Sequence, residues 1–126
     1  MIKKLLLIGV FLLLGGCSNT DIMDSEKDEL IQQAEVIMEA LQAKDYDAIA
    51  EQFSQFYRTS STAELIQEGW ETLPTEYGEF LNVDQYIVTS LKDYKVVKII
   101  VNYEQYKAQF AITFLSNGKL AGVFFR

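Results

Sequence analysis

The chain contains no histidine, and this absence removes several kinds of active site. Ser-His-Asp and Cys-His nucleophilic sites both need an imidazole as the general base. Imidazole is also the commonest protein ligand of transition metals. No glycine-rich phosphate loop of the Walker type occurs either. Carboxylates, tyrosines and lysines are the residues left for catalysis, and the sequence predicts neither a metal site nor a cofactor.

Basic residues are scarce, since 11 Lys and Arg stand against 18 Asp and Glu in 126 residues. Affinity for nucleic acid comes largely from Lys and Arg on phosphate, so nucleic acid is not an expected partner. The imbalance is also uneven along the chain. Residues 21–84 carry 16 acidic side chains and only Lys27, Lys44 and Arg58, whereas the remaining basic residues after the signal region follow Gln85. Attraction between two layers of one domain explains this pattern; a basic face for an anionic partner is the second interpretation.

Cysteine occurs once, at Cys17, so no disulfide can form within the chain. The cysteine follows two lysines, Lys3 and Lys4, and an uninterrupted apolar run over residues 5–14. This order is typical of a secretory signal peptide. Ten helical residues span about 15 Å, against roughly 30 Å of hydrocarbon in a bilayer. The run is therefore too short to predict a permanent membrane span.

The residues directly before the cysteine, Leu14, Gly15 and Gly16, resemble a bacterial lipobox. This resemblance implies cleavage before Cys17 and acylation of its thiol. Each buried CH₂ contributes about 0.8 kcal/mol, so two acyl chains hold a protein stably on a membrane. The alternative is an ordinary signal peptide followed by an incidental thiol. We predict a signal peptide at residues 1–16, a lipidated Cys17 with a flexible tether at residues 17–27, and a location on the extracytoplasmic face of the cell membrane.

The remainder, residues 28–126, is long enough for one compact domain. Helical periodicity predicts a helix from near Glu29, a second capped by Asp45 or Asp47, and a third opened by a capping box at Ser61–Glu64. The period then changes to two, and four strands follow, the last two joined by an Asn-Gly turn at 117–118. Connections this short make the sheet antiparallel. The predicted fold class is α+β, with three N-terminal helices packed on a curved four-stranded antiparallel sheet.

Three stretches, "GWETLPTEYGEFLNV", "VVKIIVNYE" and "FLSNGKLAGVFF", resemble the bacterial domain-of-unknown-function family 3887. The resemblance covers about residues 29–126 and rests most on Trp70, Gly78 and the terminal hairpin. It implies a cystatin-like, nuclear-transport-factor-2-like fold. It also implies a secreted or lipid-anchored protein of a Gram-positive bacterium. The matching features concern packing and turns, so they imply no activity.

Related folds house isomerases and dehydratases in a cone between helices and sheet, which makes a cavity a candidate here. The residues predicted to line it are Trp70, Phe80, Asp84, Tyr103, Phe110 and Phe114. An Asp base would serve a small cofactor-free lyase or isomerase if an apolar pocket surrounded it. The alternative is that the aromatic side chains, with Phe124, are simply the core of a small domain and that Asp84 faces solvent. We assign no catalytic residue.

Alternation also predicts an apolar patch on the outer sheet face, opposite the helices. Its predicted members are Val96, Ile100, Ala111, Leu115, Val123 and Phe125. A contiguous exposed apolar patch usually marks an interface, so a homodimer or a second envelope protein could cover it. The sequence therefore favours a lipid-anchored domain that binds a protein or a small envelope molecule. The alternatives are the lyase or isomerase above and a passive spacer or immunity-type lipoprotein.

Overall fold

The computed structural model describes residues 23–126. In this part of the chain three helices precede four strands: α1 (Asp24–Gln42), α2 (Tyr46–Glu51), α3 (Thr62–Tyr77), β1 (Phe80–Leu91), β2 (Tyr94–Tyr103), β3 (Lys107–Phe114) and β4 (Leu120–Phe125). The strands form one antiparallel sheet in the order β1-β2-β3-β4. The α+β class and the three-helix, four-strand order predicted from the sequence are confirmed.

The first helix begins at Asp24 and not near Glu29, so the segment predicted as a tether to Lys27 ends within the first turn of α1. Acidic side chains in a first turn interact favourably with the helix dipole, and α1 has Asp24 and Glu26 there. Glu26 also lies 3.5 Å from the ammonium of Lys95 on the sheet. Residues 24–27 are therefore helical although they contain no apolar side chain to pack on the core.

Of the two caps predicted for the other helices, the one at α2 is present and the one at α3 is not. Asp45 caps α2 as expected, its carboxylate accepting a hydrogen bond from the Ala48 N–H. Ser61 precedes α3, but its side chain makes no capping hydrogen bond. The Thr62 hydroxyl instead accepts a hydrogen bond from the N–H of Thr59. The turn before α3 is therefore held by Thr62 and not by Ser61.

One core lies between the helices and the inner sheet face. The strands β2 and β3 contribute alternate residues to it, and α1 contributes a stripe at helical spacing. Its most deeply buried large side chains are Ile37, Met38, Leu41, Ile49, Val97, Ile99, Val101, Phe110, Ile112, Phe114 and Leu120. These residues are spaced by two along the strands and by three or four along α1, and the same spacing predicted the strands and the helix from the sequence.

Gly78 connects α3 to β1 in a conformation that favours glycine, with φ at +86°. A Cβ there would lie 2.7 Å from the Cβ of Glu104. Glu104 in turn accepts a hydrogen bond from the Glu79 N–H. Gly118, in the β3–β4 turn, has the same φ, but a Cβ there would meet nothing within 4 Å. The two glycines therefore share a positive φ and differ in the space around them.

We expect Gly78→Ala to lower the free energy of unfolding by about 2–3 kcal/mol, because backbone strain and a clash add together. Gly118→Ala, with strain alone, should cost about 1 kcal/mol. Urea denaturation of both variants measures the difference. Equal losses would contradict the close contact between Gly78 and Glu104.

The β3–β4 turn differs from the predicted two-residue Asn-Gly turn. Gly118 has positive φ but Asn117 does not. The Gly118 N–H bonds the Leu115 carbonyl, and the Leu115 N–H bonds the Lys119 carbonyl. A type I turn followed by a left-handed glycine is the standard three-residue hairpin loop.

A further irregularity in β4 overturns part of the predicted face assignment. Phe114 pairs with Leu120 and Thr113 with Gly122, so Ala121 is an extra residue in β4. One extra residue reverses which later side chains face inward. Phe125 therefore packs in the core and Phe124 faces outward, the reverse of the prediction, and Val123 also faces inward.

Candidate functional site

A groove of about 270 Å³ runs beside β4, on the side away from β3. Its floor is the β4 segment 121–125. Its wall comes from the segment between α2 and α3 and from the first turns of α3. The wall residues are Phe53, Tyr57, Thr59, Thr62, Leu65 and Ile66. Two stretches far apart in sequence, residues 53–66 and 121–125, thus meet here, which is why periodicity along either of them did not reveal the groove.

The edge of β4 presents backbone groups to this groove. Gln109 and Arg126 exchange both backbone hydrogen bonds, so Arg126 points toward β3. Backbone direction alternates along a strand, so Val123 and Phe125 point away from β3. Within residues 23–126 no strand pairs with β4 on that side, since β4 ends the sheet order. Two N–H and two C=O groups of β4 are therefore directed at the groove.

The same edge is already occupied at its beginning. Phe53 bridges Leu120 in the parallel sense, the Leu120 N–H bonds the Gln52 carbonyl, and the Ser54 N–H bonds the Leu120 carbonyl. The chain then turns away at Tyr57 and leaves the rest of the edge uncovered. The segment 52–54 therefore starts a fifth strand that does not continue.

Hydrogen bonds hold the groove wall in place. The hydroxyls of Tyr57 and Tyr94 lie 2.9 Å apart and share a hydrogen bond between the wall and the sheet. Thr59 and Thr62 bond reciprocally, each backbone N–H meeting an oxygen of the other residue. The burial of Thr62 fixes this turn against the core. These contacts give the wall a defined shape without a partner.

Exposed apolar side chains mark the groove rim. Leu65 of α3 is 61% exposed and Phe124 of β4 is 57% exposed. Phe56 is 85% exposed, and its ring lies edge-on to Tyr57, with 5.2 Å between ring centres. Leu65 and Phe124 line the groove, and Phe56 lies beside it through its contact with Tyr57. Three large apolar side chains around one groove are characteristic of an interaction surface.

Charge around the groove is of one sign on its helical side. The lining residues themselves carry no charge. Helix α3 has four glutamates and no basic residue, but Glu71 accepts a hydrogen bond from Tyr46 and Glu64 lies beside Lys44, both away from the groove. Glu68 is exposed one turn beyond Leu65, hence on the same side of the helix. A partner entering from the α3 side meets an acidic helix.

The other sheet edge is built differently. Strand β1 has two register shifts, which leave Leu81 and Asp84 without cross-strand partners. Asp84 is also ion-paired with Lys107, at 3.3 Å. Bulges and charges are the usual protection of an edge strand against pairing. Strand β4 also has one bulge, at Ala121, but it has neither a charge nor a proline among residues 120–125.

Five of the six predicted cavity residues pack with one another or with the core. Trp70 contacts the rings of Phe80 and Phe110, and Phe80 also contacts Tyr103. Phe114 is fully buried. These contacts are those of a filled aromatic core. The proposal that the same residues line a cavity stays a prediction from the sequence.

The sixth residue, Asp84, does not join them. It lies at a bulge in β1, is exposed, and pairs with Lys107. The sequence analysis gave Asp84 as a candidate cavity residue, with a solvent-facing Asp84 as the alternative, and the structure has the exposed form. The lyase or isomerase alternative needed a carboxylate in apolar surroundings, and Asp84 has none.

Other predicted residues are placed as follows. On the outer sheet face Val96, Ile100 and Ala111 have the predicted orientation, but Lys98 lies among them. The row of Lys98 also holds Ile87, Ala111 and Phe124, and glutamines and threonines flank Ile100 and Val96, so polar side chains interrupt the apolar residues. Cys17, Leu14, Gly15 and Gly16 lie outside the described residues. No helix within residues 23–126 combines the length and apolarity needed to cross a membrane.

Two tyrosines have strongly raised pKa values for different reasons. Burial, the hydrogen bond to the Glu71 carboxylate at 2.6 Å and that carboxylate's charge raise the pKa of Tyr46 to about 12. Burial, with a smaller contribution from Tyr77, raises the pKa of Tyr103 to about 12. Within residues 23–126 the buried Tyr103 hydroxyl has no hydrogen-bond partner. Both hydroxyls stay protonated at neutral pH.

We expect Tyr103→Phe to raise the free energy of unfolding by about 1 kcal/mol, because it removes a buried, unpaired hydroxyl.

Tyr46→Phe should lower the free energy of unfolding, because the Glu71 carboxylate loses its hydrogen-bond donor. For each tyrosine the folded pKa exceeds the unfolded value of about 10. The free energy of unfolding of the parent chain is therefore highest below pH 10 and falls as pH rises toward 12, because the unfolded chain loses the tyrosine protons first. Urea denaturation at pH 7 and pH 11 measures this, and each variant should lose less stability than the parent chain. A Tyr103→Phe variant less stable at pH 7 would contradict the assignment.

The comparison with family models identifies a family for this chain. Residues 34–123 match the model described as "Protein of unknown function (DUF3887)". The chain belongs to this family. Searches of curated proteins and of solved structures gave no match. The family description names no activity, so the function has to be argued from the groove.

Proposed function

We propose that this DUF3887 chain is a lipid-anchored extracytoplasmic domain that binds a protein partner in the groove beside β4. The observation that carries the binding role is an uncharged, mostly apolar groove along a sheet edge that no strand covers beyond Leu120, with Leu65 and Phe124 exposed on its two sides. The lipid anchor rests on the lipobox-like sequence before Cys17. The cystatin-like, nuclear-transport-factor-2-like relationship also belongs to this proposal, supported by helices packed on a curved antiparallel sheet.

The backbone groups of β4 that face the groove favour a protein segment over a small molecule. Sites for small ligands usually enclose about 300–1,000 Å³ and surround most of the ligand. This groove holds about 270 Å³ and is open along its length. Its polar groups are mostly the regularly spaced backbone groups of β4, which suit another polypeptide.

Site-specific photo-crosslinking tests the binding role. The full-length chain would carry benzoylphenylalanine at position 124 and be expressed in its own host. We expect irradiation to give discrete adducts with protein, because the side chain at 124 lies at the groove rim. Position 36 is the control, since Val36 is 53% exposed on α1 and does not line the groove.

The introduced change Leu65→Asn should reduce the adducts at position 124, whereas Val36→Asn should not. The substitutions are matched, because both replace an exposed apolar side chain on a helix. Equal adducts from positions 124 and 36, or none from 124, would contradict the proposed site.

A further inference from the structure

We infer that the partner binds as an added β-strand: an extended segment with basic residues on its helix-facing side pairs with β4 at Val123 and Phe125. This inference rests on the proposed function and states its mode of recognition. Strand addition uses main-chain hydrogen bonds for affinity and alternate side-chain pockets for specificity. The β4 edge has both the unpaired main-chain groups and the side-chain contacts that this mode of binding needs.

The backbone part comes from the β4 register. Val123 and Phe125 direct their N–H and C=O groups away from β3, and Arg126 directs its own toward β3. The segment 52–54 covers the edge at Leu120 and then departs. The uncovered edge therefore begins where this partial fifth strand ends, and a guest strand would continue it.

The side-chain part comes from the groove. Guest residues facing the helices would contact Leu65, Ile66 and Tyr57, which are apolar or aromatic. Residues facing the other way would lie beside Phe124 and Arg126. Alternation of apolar and polar residues is thus the pattern that the site accepts.

Charge decides between a foreign strand and a second copy of this chain. A two-fold axis through antiparallel β4 strands would place both α3 helices on the same side of the joined sheet. Each α3 has Glu68 on the side of Leu65 and carries no basic residue, so the pairing would bring like charges together without a cation on either helix. A foreign strand with lysine or arginine toward Glu68 is attracted by the same charges. We therefore assign the edge to a basic partner segment.

Synthetic peptides test this assignment on the full-length chain in a non-ionic detergent. The probe is KTVEVTK with blocked ends, which as a strand places lysines and valines on one face. The control ETVKVTE has the same residue pattern with the charges exchanged. We expect fluorescence anisotropy to show at least tenfold tighter binding of KTVEVTK.

N-methylation then tests backbone pairing. One version of the peptide is methylated on both valine amides and the other on both threonine amides. A strand uses the amides of one edge only, so one version should lose at least tenfold in affinity and the other should bind like the parent peptide. The Val123→Pro chain should also lose binding, because Val123 donates no bond to β3 and proline is tolerated at such an edge position.

Other outcomes overturn the inference. If neither methylated peptide loses affinity, the groove binds apolar side chains without strand pairing. If KTVEVTK does not bind at millimolar concentration, or the charge-exchanged control binds as well, the basic strand is wrong. Concentration-dependent dimers of the chain that Val123→Pro abolishes would assign the edge to a second copy. Crosslinks from position 124 in any of these cases would leave the proposed function intact with another mode of binding.

Discussion

Phe110→Ala is expected to lower the free energy of unfolding by about 3–5 kcal/mol, the cost of removing a large aromatic side chain from a packed core. Phe110 is 1% exposed and contacts the rings of both Trp70 and Phe125. A domain of this size has a total stability of about 5–15 kcal/mol, so the variant approaches the limit of folding.

Phe124→Ala is the matched control, because it makes the same change on the outer face of the neighbouring strand. It should cost about 0.5 kcal/mol or less, the usual effect of a surface substitution. Phe125→Ala should fall between the two, since Phe125 packs against Phe110 and Gly69. Urea denaturation of the three variants ranks them. A larger loss for Phe124→Ala than for Phe125→Ala would contradict the bulge at Ala121.

Cys17→Ser is expected to abolish lipid attachment and release the chain from the membrane fraction. In the proposed lipoprotein the acyl chains would supply the anchoring, at about 0.8 kcal/mol for each buried CH₂. The polypeptide offers no electrostatic substitute, because nine basic residues against 18 acidic ones remain beyond residue 16. Incorporation of a labelled fatty acid and fractionation of cells measure the two effects.

Ser18→Ala is the control for this experiment, since it changes the adjacent residue and keeps the thiol. It should incorporate fatty acid and fractionate like the unchanged chain. Labelling that persists in Cys17→Ser, or an unlabelled parent chain, would contradict the lipoprotein assignment.

Periodic elements could be predicted from the sequence because their signals are local. The stripe Leu30, Ala34, Ile37 and Leu41 identified α1, and alternation from Val97 to Tyr103 identified β2. The cap at Asp45 was also readable, because it depends on one side chain and the residues that follow it.

Features that depend on pairing between strands were missed. The bulge at Ala121 exchanges the faces of Phe124 and Phe125, and the bulge at Asp84 removes that carboxylate from the inner face. An alternating sequence does not say where an extra residue is inserted. The uncharged strand 120–125 did contain a signal for the groove, since it lacks the lysine or proline that usually protects an edge.

The central claim is that the β4 edge is occupied by a protein in the cell envelope. Amide hydrogen exchange, followed by mass spectrometry, compares the chain in its native membranes with the purified chain in detergent. The account predicts slower exchange in native membranes for fragments covering Val123 and Phe125, and unchanged exchange along the bulged edge of β1. Identical exchange at β4 in both preparations, or protection confined to β1, would contradict it.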